Sequence, residues 1–463
     1  MCVCGLFALI PCEAPFFREL SDQTICVMSP DQLFAEIMSK SQLHKDVRHS
    51  SNAREKEQQV VLEQLLAAIR EDLKTLITQH PIFSNAPCHD VHGMLWSQCF
   101  YKQIEEFRRS IRKHANAIAE DEAPAASATV PRDEEAALKA RHHFVRLVST
   151  YTKLLSSSFV FYQDLMLTLE ERVKQTEDAA DAESYIRSIH RCSLYLGDLS
   201  RYREQISEGK DKNYAEAMRY YERAAFLVPS SGNPHNQLAV LATYGNSELV
   251  AVYHYCRSVL VTQPSSVGYE NLRILFEKNA KAHLQAIRQR SEEGEHQGAA
   301  LAANFSTRKQ DVSSKSGKMK VHFFFSQFIR LHGLLFEWSM SKFEPPTASS
   351  SKRNPTPAST VDIDVEEFTS EVQELMSTFD ELLQAGIFSD ALLVRLLIIC
   401  IFSVHESVPS CHMRAGEEKK VVRNSGPRTI GESLALAIIY GFISKYVCFN
   451  PSPLNPPTTA CDL

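Results

Sequence analysis

The chain has 463 residues, enough for two or three domains of ordinary size with substantial hydrophobic cores. Only 16 residues are glycine and 20 are proline, whereas 44% are hydrophobic and 23% are charged. This composition favours helices and excludes a collagen-like or wholly disordered chain. The net charge of −6 excludes a general basic field for nonspecific nucleic-acid binding, so any contact with a polyanion must be local.

The 12 cysteines are scattered and show neither a CxxC pair nor Cys and His residues at zinc spacing. We therefore expect reduced, mostly structural thiols of an intracellular protein. The apolar N-terminal stretch lacks a basic region and is soon broken by proline, which argues against a signal peptide. The longest apolar runs, 391–404 and 434–443, are shorter than a membrane span, so a soluble protein with no membrane partner is expected.

Taken in chain order, the sequence predicts a series of helices separated by polar loops. Residues 1–52 form a variable segment with no sustained period, and the apolar spacing typical of amphipathic helices begins at residue 53. The predicted helices cover residues 53–80, 91–114, 134–174, 185–205, 267–290, 322–342, 365–385, 389–406 and 430–447. The predicted loops cover the acidic, Ala- and Pro-rich residues 117–132, the basic residues 306–320 and the Pro- and Ser-rich residues 344–361.

An internal repeat of 34 residues lies between these helices, and this is the period of tetratricopeptide helix pairs. Its first copy carries Ala217, Tyr221, Ala224 and Pro229, and its second carries Ala251, Tyr255, Ser258 and Pro264 at nearly the same offsets. Small residues let two helices approach closely and proline ends a helix, so this spacing predicts stacked helical hairpins. Because alternation typical of strands is almost absent, the predicted fold class is all-α.

No enzyme signature is present, since phosphate-binding, zinc-protease, serine-hydrolase and kinase motifs are all missing. The acidic run Asp362, Asp364, Glu366 and Glu367 resembles a metal site only superficially. Carboxylates in this pattern suit the start of a helix, where they interact favourably with the helix dipole. We therefore predict no catalytic residue, no metal and no cofactor.

Two groups of cations deserve a functional interpretation. In the first, Lys102 and Arg109, or in the adjacent register Tyr101 and Arg108, are two helical turns apart and share a helix face. The second comprises Arg201, Tyr202 and Arg203 on another helix. Guanidinium and ammonium groups that converge in a groove would bind a phosphate. Pairing of these cations with nearby glutamates on solvated helix faces is the alternative, and periodicity alone favours it.

Several segments resemble the Ever Shorter Telomeres/SMG family of telomerase-associated proteins and nonsense-mediated mRNA decay factors. The resemblance covers about residues 53–448. It is carried by HRCSLYLGDLSRYREQ (190–205), YYERAAFLVPSSGNPHNQLAVLA (220–242), VYHYCRSVL (252–260), LWSQCFYKQIEEFRRSI (95–111), FIRLHGLLF (328–336) and LLIICIFSVHE (396–406).

The resemblance implies a 14-3-3-like tetratricopeptide domain at 53–295, a basic loop at 296–320, a helical-hairpin domain at 321–448 and a tail at 449–463. In this family the first domain binds phosphorylated peptides, classically on the helicase that drives decay. Arg201 and Tyr202 match the Arg-Tyr half of the family's phosphate site. Tyr101 occupies the position of the lysine in the other half, so Lys102 and Arg108 are the candidate cations there. Cytoplasmic and nuclear locations are expected.

The leading hypothesis is therefore a non-enzymatic adaptor that recruits phosphorylated decay or telomerase partners, with another family member as a further partner. A second hypothesis is binding of telomerase RNA, mRNA or single-stranded telomeric DNA through basic loops such as 308–320. A third hypothesis is that the chain is the scaffold fragment of a longer nuclease, because one branch of the family carries a PIN nuclease. No segment of the present sequence resembles that nuclease.

Overall fold

A computed structural model describes residues 28–49, 55–122, 134–209, 211–296, 315–343, 363–407 and 430–449. Within these ranges every extended regular element is a helix, which confirms the all-α class. The α-helices are α1 (Pro30–His49), α2 (Glu55–Gln79), α3 (Pro81–Ser84), α4 (Val91–Trp96), α5 (Lys102–Glu122), α6 (Glu134–Gln175), α7 (Ala179–Ile206), α8 (Ala215–Leu227), α9 (Asn233–Tyr244), α10 (Glu248–Val259), α11 (Gly268–His296), α12 (Lys315–Phe343), α13 (Val365–Gln384), α14 (Asp390–Glu406) and α15 (Ile430–Phe449), and a π-helical turn, Ser97–Tyr101, joins α4 to α5.

The chain divides into two compact units, Met1–Cys192 (unit 1) and Ser193–Leu463 (unit 2), and the division falls within α7. In unit 1, helix α2 packs against α1, α4 and α6, while α5 packs against α6. Its core combines the aliphatic residues of α2, such as Leu73, with the fully buried rings of Phe100 and Tyr162, whose centroids are 5.1 Å apart. These rings anchor the π-helical turn that leads into the cationic helix α5.

In unit 2, the C-terminal part of α7 is followed by two stacked helical hairpins, α8–α9 and α10–α11, in agreement with the 34-residue repeat. All three small or aromatic helix positions in each copy of the repeat are buried. The loops of successive hairpins also meet, because the Gly232 amide donates to the Gln263 carbonyl at 2.8 Å. A side chain at Gly232 would place its Cβ 2.0 Å from the Ser258 carbonyl oxygen, so this approach requires glycine.

One continuous hydrophobic core joins the second hairpin of unit 2 to helices α12 to α15. Phe324, Phe328 and Phe379 are fully buried in this core. The Phe379 ring stacks on Phe324 at a centroid distance of 6.1 Å and meets Phe442 edge-on at 4.4 Å. Such clusters stabilise the packing beyond the contribution of the buried area alone.

The helix boundaries differ from the predicted ones at several places; for example, α7 begins at Ala179 rather than at 185, and α11 ends at His296 rather than at 290. Helix α1 lies within residues 1–52, where the sequence showed no apolar period. The period is missing because the polar residues Ser41 and His44 occupy inward-facing positions after Ile37. Residues 117–122, predicted as linker, extend α5, in keeping with their alanine and glutamate content. Residues 315–320, predicted as loop, form the first turns of α12. The rest of the predicted linker and loops lies outside the described residues.

The part of the chain that the structure describes contains no helix with both the length and the hydrophobicity needed to cross a bilayer. The predicted domain limits, 53–295 and 321–448, remain a prediction, and the parts of segments 1–52, 296–320 and 449–463 that are not named above lie outside the described residues.

Candidate functional site

Arg201 of α7 is the centre of a buried polar cluster in unit 2. Its Nη2 group donates to Asp198 Oδ1 at 2.7 Å, one helical turn earlier, and its Nε group donates to the Tyr221 hydroxyl at 3.2 Å. Tyr221, on α8, donates in turn to the same Asp198 oxygen at 2.7 Å. Only 9% of the Arg201 side chain and 15% of the Asp198 side chain are exposed. The three side chains therefore hold one another in a single arrangement.

The local sequence allows this cluster to form. A Cβ atom at position 197 would lie 2.4 Å from the Tyr221 ring, so Gly197 is what lets the ring lie against α7. Tyr221 is also one of the repeat positions, and it is fully buried. Burial and the Asp198 charge raise the pKa of Tyr221 well above its usual value, so its hydroxyl keeps the proton that it donates.

The guanidinium of Arg201 remains charged and has donors to spare. Burial acts to lower the pKa of Arg201, but the charge and hydrogen bond of Asp198, together with Tyr221 and Tyr202, outweigh it and the pKa is raised. The guanidinium lies over the ring of Tyr202, 4.7 Å from its centroid, in a cation–π arrangement. Among the described residues none accepts a hydrogen bond from its Nη1 group. A fixed, charged fork with an uncommitted amino group is suited to a phosphate oxygen.

The predicted cations of the first group lie in unit 1. Lys102 is exposed at the start of α5, and its charge, with that of Arg48, adds to burial in lowering the pKa of His44. Tyr101, at the position where the resemblance places a lysine, ends the π-helical turn and is 36% exposed. Its ring lies 5.9 Å from that of Trp96.

Arg108 belongs to a cluster of three arginines around one carboxylate. Glu105 accepts a hydrogen bond from Arg108 at 3.0 Å and forms ion pairs with Arg109 at 3.5 Å and Arg112 at 3.2 Å. The alternative of pairing with glutamates is thus observed for this group, although one carboxylate neutralises only one of the three charges. The α5 surface keeps a net positive charge around Arg108.

Arg201 and Tyr202 are in contact in unit 2. Lys102 and Arg108 lie in unit 1. The sequence reasoning missed Asp198 and Tyr221 as partners of Arg201. The contact between Asp198 and Arg201 could have been predicted, because the two residues are three positions apart on one helix. The contact with Tyr221 depends on tertiary packing between α7 and α8.

A second basic surface lies on α8 and was not predicted from the sequence. Arg219, Tyr220 and Arg223 line a shallow cavity of about 300 Å³ together with Glu216. The two arginines are one helical turn apart, and Phe226 on the same helix is 84% exposed. Basic and aromatic side chains in this combination suit nucleic-acid phosphates and bases.

The predicted helix start at the acidic run is confirmed for Asp364, which caps α13. Its Oδ1 accepts the amides of Glu366 and Glu367 at 3.0 Å and 3.1 Å; Asp362 lies outside the described residues. Among the residues that the structure describes, no group of three or more His, Cys, Asp or Glu side chains is arranged to hold a metal ion.

The sequence was compared with known families and proteins. Residues 90–207 match the family model described as telomerase activating protein Est1, and residues 217–447 match the Est1 DNA/RNA binding domain. Nonsense-mediated mRNA decay factor SMG7 of Arabidopsis thaliana is 28% identical over 399 residues, which are 79% of this chain and 35% of that protein. Telomerase-binding protein EST1A of Danio rerio is 30% identical over 271 residues, which are 55% of this chain and 16% of that protein.

The chain therefore spans about a third or less of these relatives. Among solved structures, the crystal structure of Est1 and Cdc13 is similar over 90% of this chain and 70% of that chain, with a TM-score of 0.51 and 13% identity, a likeness that concerns the fold. The two family models lie end to end over most of the helices described above, and together with the relatives they show that this chain belongs to the Est1 family.

Proposed function

We propose that this chain is an adaptor of nonsense-mediated mRNA decay or telomere maintenance that binds phosphorylated segments of its partners. The observation that carries the proposal is the Arg201 guanidinium, which Asp198 and Tyr221 hold in place while its Nη1 group makes no hydrogen bond among the described residues. Arg201 is the main phosphate contact. Tyr202 supports it, because its ring fixes the plane of the guanidinium.

The names of the relatives, a decay factor and a telomerase-binding protein, support the biological setting. The proposed partners are a phosphorylated decay helicase or a related phosphoprotein, and another member of the family. The proposed locations are the cytoplasm and the nucleus.

The direct test compares a fluorescent phosphoserine peptide with its unphosphorylated form by anisotropy. The wild-type protein should prefer the phosphorylated form, and Arg201→Gln should remove at least ~2 kcal/mol of that binding, because a charge-assisted donor to the phosphate is lost. Glutamine at position 201 tests the phosphate contact more directly than glutamate does, because glutamate would put a second carboxylate beside Asp198. Equal binding of the two peptides by the wild type would refute the proposal.

Lys102 and Arg108 are proposed as secondary cations, and two charge reversals separate their roles. A loss of phosphopeptide affinity in Arg108→Glu without any loss in Lys102→Glu would favour the register in which Tyr101 and Arg108 form one pair. The matched control is Arg112→Glu, because Arg112 contacts the same carboxylate but its side chain is 64% exposed and it belongs to neither register. If all three variants lose phosphopeptide affinity to the same extent, the α5 cations act only through net charge.

The adaptor is proposed to be non-enzymatic. A metal-dependent nuclease needs carboxylates that converge on one or two divalent ions. The purified chain should therefore leave single-stranded RNA intact in magnesium or manganese while it still captures a phosphopeptide. Cleavage that is abolished by mutation of the chain's own carboxylates would contradict this reading and favour the nuclease-scaffold alternative.

A second candidate function, binding of single-stranded RNA or DNA, is supported by the match of residues 217–447 to a DNA/RNA binding domain and by the basic α8 surface. The basic residues 315–320 at the start of α12 are the described part of the predicted basic loop. Each phosphate contact with a single strand contributes about 0.7 units to the slope of log affinity against log salt. Arg223→Gln should therefore reduce that slope by about 0.7 for a single-stranded oligonucleotide, and an unchanged slope would exclude this surface.

A further inference from the structure

A groove between α11 and α12 in unit 2 has features that the proposed function does not use. It encloses about 260 Å³ and combines apolar walls with acidic side chains. Small residues on both helices, Ala280 and Gly333, make the recess. A Cβ atom at position 333 would lie 3.1 Å from the Phe276 ring, so the helices are already in close contact there and the glycine keeps the recess open.

The half-buried side chain of Glu337 lines this groove. Its Oε1 atom is buried and accepts no hydrogen bond from any described residue. Burial, followed by the nearby charge of Glu277, raises the pKa of Glu337, and Arg273 opposes the shift only in part. Arg273 is itself paired with Glu270 at 2.8 Å and with Glu277 at 3.6 Å, so its charge is shared among several carboxylates. A half-buried carboxylate in these surroundings is stabilised by a cation brought from outside.

The positive side chain in the lining, Arg330, is already paired. Its Nη2 group forms an ion pair with Glu371 of α13, and both side chains are largely buried. Its Nε group is also buried and donates to no described residue. Arg330 therefore neutralises Glu371 rather than Glu337, and its Nε group is a donor that a backbone carbonyl of a bound chain would satisfy.

The apolar part of the groove is open to solvent. Leu284, on α11, is 50% exposed, and Leu334 lines the same cavity from α12. A second exposed apolar residue, Ile287, follows one turn later and is 39% exposed. The apolar strip and the Glu277–Glu337 pair thus lie along one groove, which favours a ligand with an apolar group and a positive charge close together.

We propose that the α11–α12 groove binds a peptide segment of a partner protein that presents a lysine or arginine next to an apolar side chain. The cation meets Glu337 and Glu277, the apolar side chain packs on Leu284 and Leu334, and a backbone carbonyl of the peptide accepts from Arg330. Nucleic acid is disfavoured here, because its phosphates would meet two glutamates. This proposal is independent of Arg201.

The test is selection of displayed random 16-residue peptides on the full chain, with counter-selection on the Glu337→Gln, Leu284→Ser double variant. The expected motif has an apolar residue within four positions of Lys or Arg, and the synthetic peptide should bind at least tenfold more weakly to each single variant. Matched controls are Glu374→Gln, which removes an exposed charge on α13, and Ile274→Ser, because Ile274 is 55% exposed on α11 but does not line the groove.

Three results would overturn the proposal: selection of no peptide, a motif without a basic residue, or equal loss of binding in the groove variants and the control variants. Binding of a single-stranded RNA oligonucleotide that is lost in Glu337→Gln would also overturn it. Folding of the variants is checked by circular dichroism. Glu337→Gln should not lower the melting temperature, because it removes a half-buried charge whose Oε1 atom accepts no hydrogen bond from any described residue.

Discussion

The cluster around Arg201 makes a quantitative prediction for Asp198→Asn. The side chains of this ion pair are only 9% and 15% exposed, so water screens it little. Removing one partner of a buried pair typically costs 3–5 kcal/mol, because the other charge is left uncompensated. The amide keeps an oxygen that accepts from Arg201 or Tyr221, so the lower end, about 3 kcal/mol, is expected.

Hydrogen exchange of the amides of α7 and α8 measures this loss locally, without assuming that the two units unfold together. A loss of about 3 kcal/mol corresponds to protection lowered by roughly 100-fold. Glu216→Gln is the matched control, since its partner Arg203 forms an ion pair in which both side chains are at least 40% exposed, and such pairs contribute below about 1 kcal/mol. Equal effects of the two variants would refute the reasoning.

Three further predictions concern the core of unit 2. Burial lowers the pKa of His332 to about 3, below the ordinary value of 6.5, so the folded state loses stability as the pH falls from 6.5 towards 3. Between pH 6.5 and pH 5 the free energy of unfolding should decrease by roughly 2 kcal/mol. The urea midpoint of the His332→Asn variant should depend less on pH than that of the wild type. Gly232→Ala should lower the free energy of unfolding by about 1–3 kcal/mol, measured by thermal unfolding. Gly245→Ala should be nearly neutral, because its Cβ would meet nothing closer than 3.7 Å. Tyr269→Phe should cost about 1.5–3 kcal/mol in the same assay, because its hydroxyl donates at 3.0 Å to the buried carboxylate of Glu406, and an unchanged melting temperature would contradict that role.

The sequence predicted most helices because their apolar residues recur at helical spacing. Helix α6, predicted over 134–174, runs from Glu134 to Gln175. Helix α1 escaped prediction because Ser41 and His44 lie at its inward-facing positions and interrupt the apolar pattern. The early start of α12 was missed for a related reason: its first residues are basic and polar, and their helical state depends on continuity with the apolar residues that follow.

The site was predictable only in part. The resemblance pointed to Arg201 and Tyr202, and the structure brings these side chains into contact. The role of Asp198 was within reach of helical spacing. The shared hydrogen bonds with Tyr221 were not, because they require the close approach of α7 and α8 that Gly197 permits. The groove carboxylate Glu337 was equally hidden, since nothing in a sequence distinguishes a half-buried glutamate from a solvated one.

The most direct test of the central claim, that Arg201 binds phosphate, is the phosphopeptide affinity of three proteins measured side by side. These are the wild type, Asp198→Asn and the double variant Asp198→Asn, Arg201→Gln, which removes both charges of the buried pair. Asp198→Asn should still bind the phosphopeptide, because its amide oxygen can still accept a hydrogen bond from Arg201, whereas the double variant should bind roughly 30-fold more weakly than the wild type. A double variant that binds like the wild type would contradict the claim.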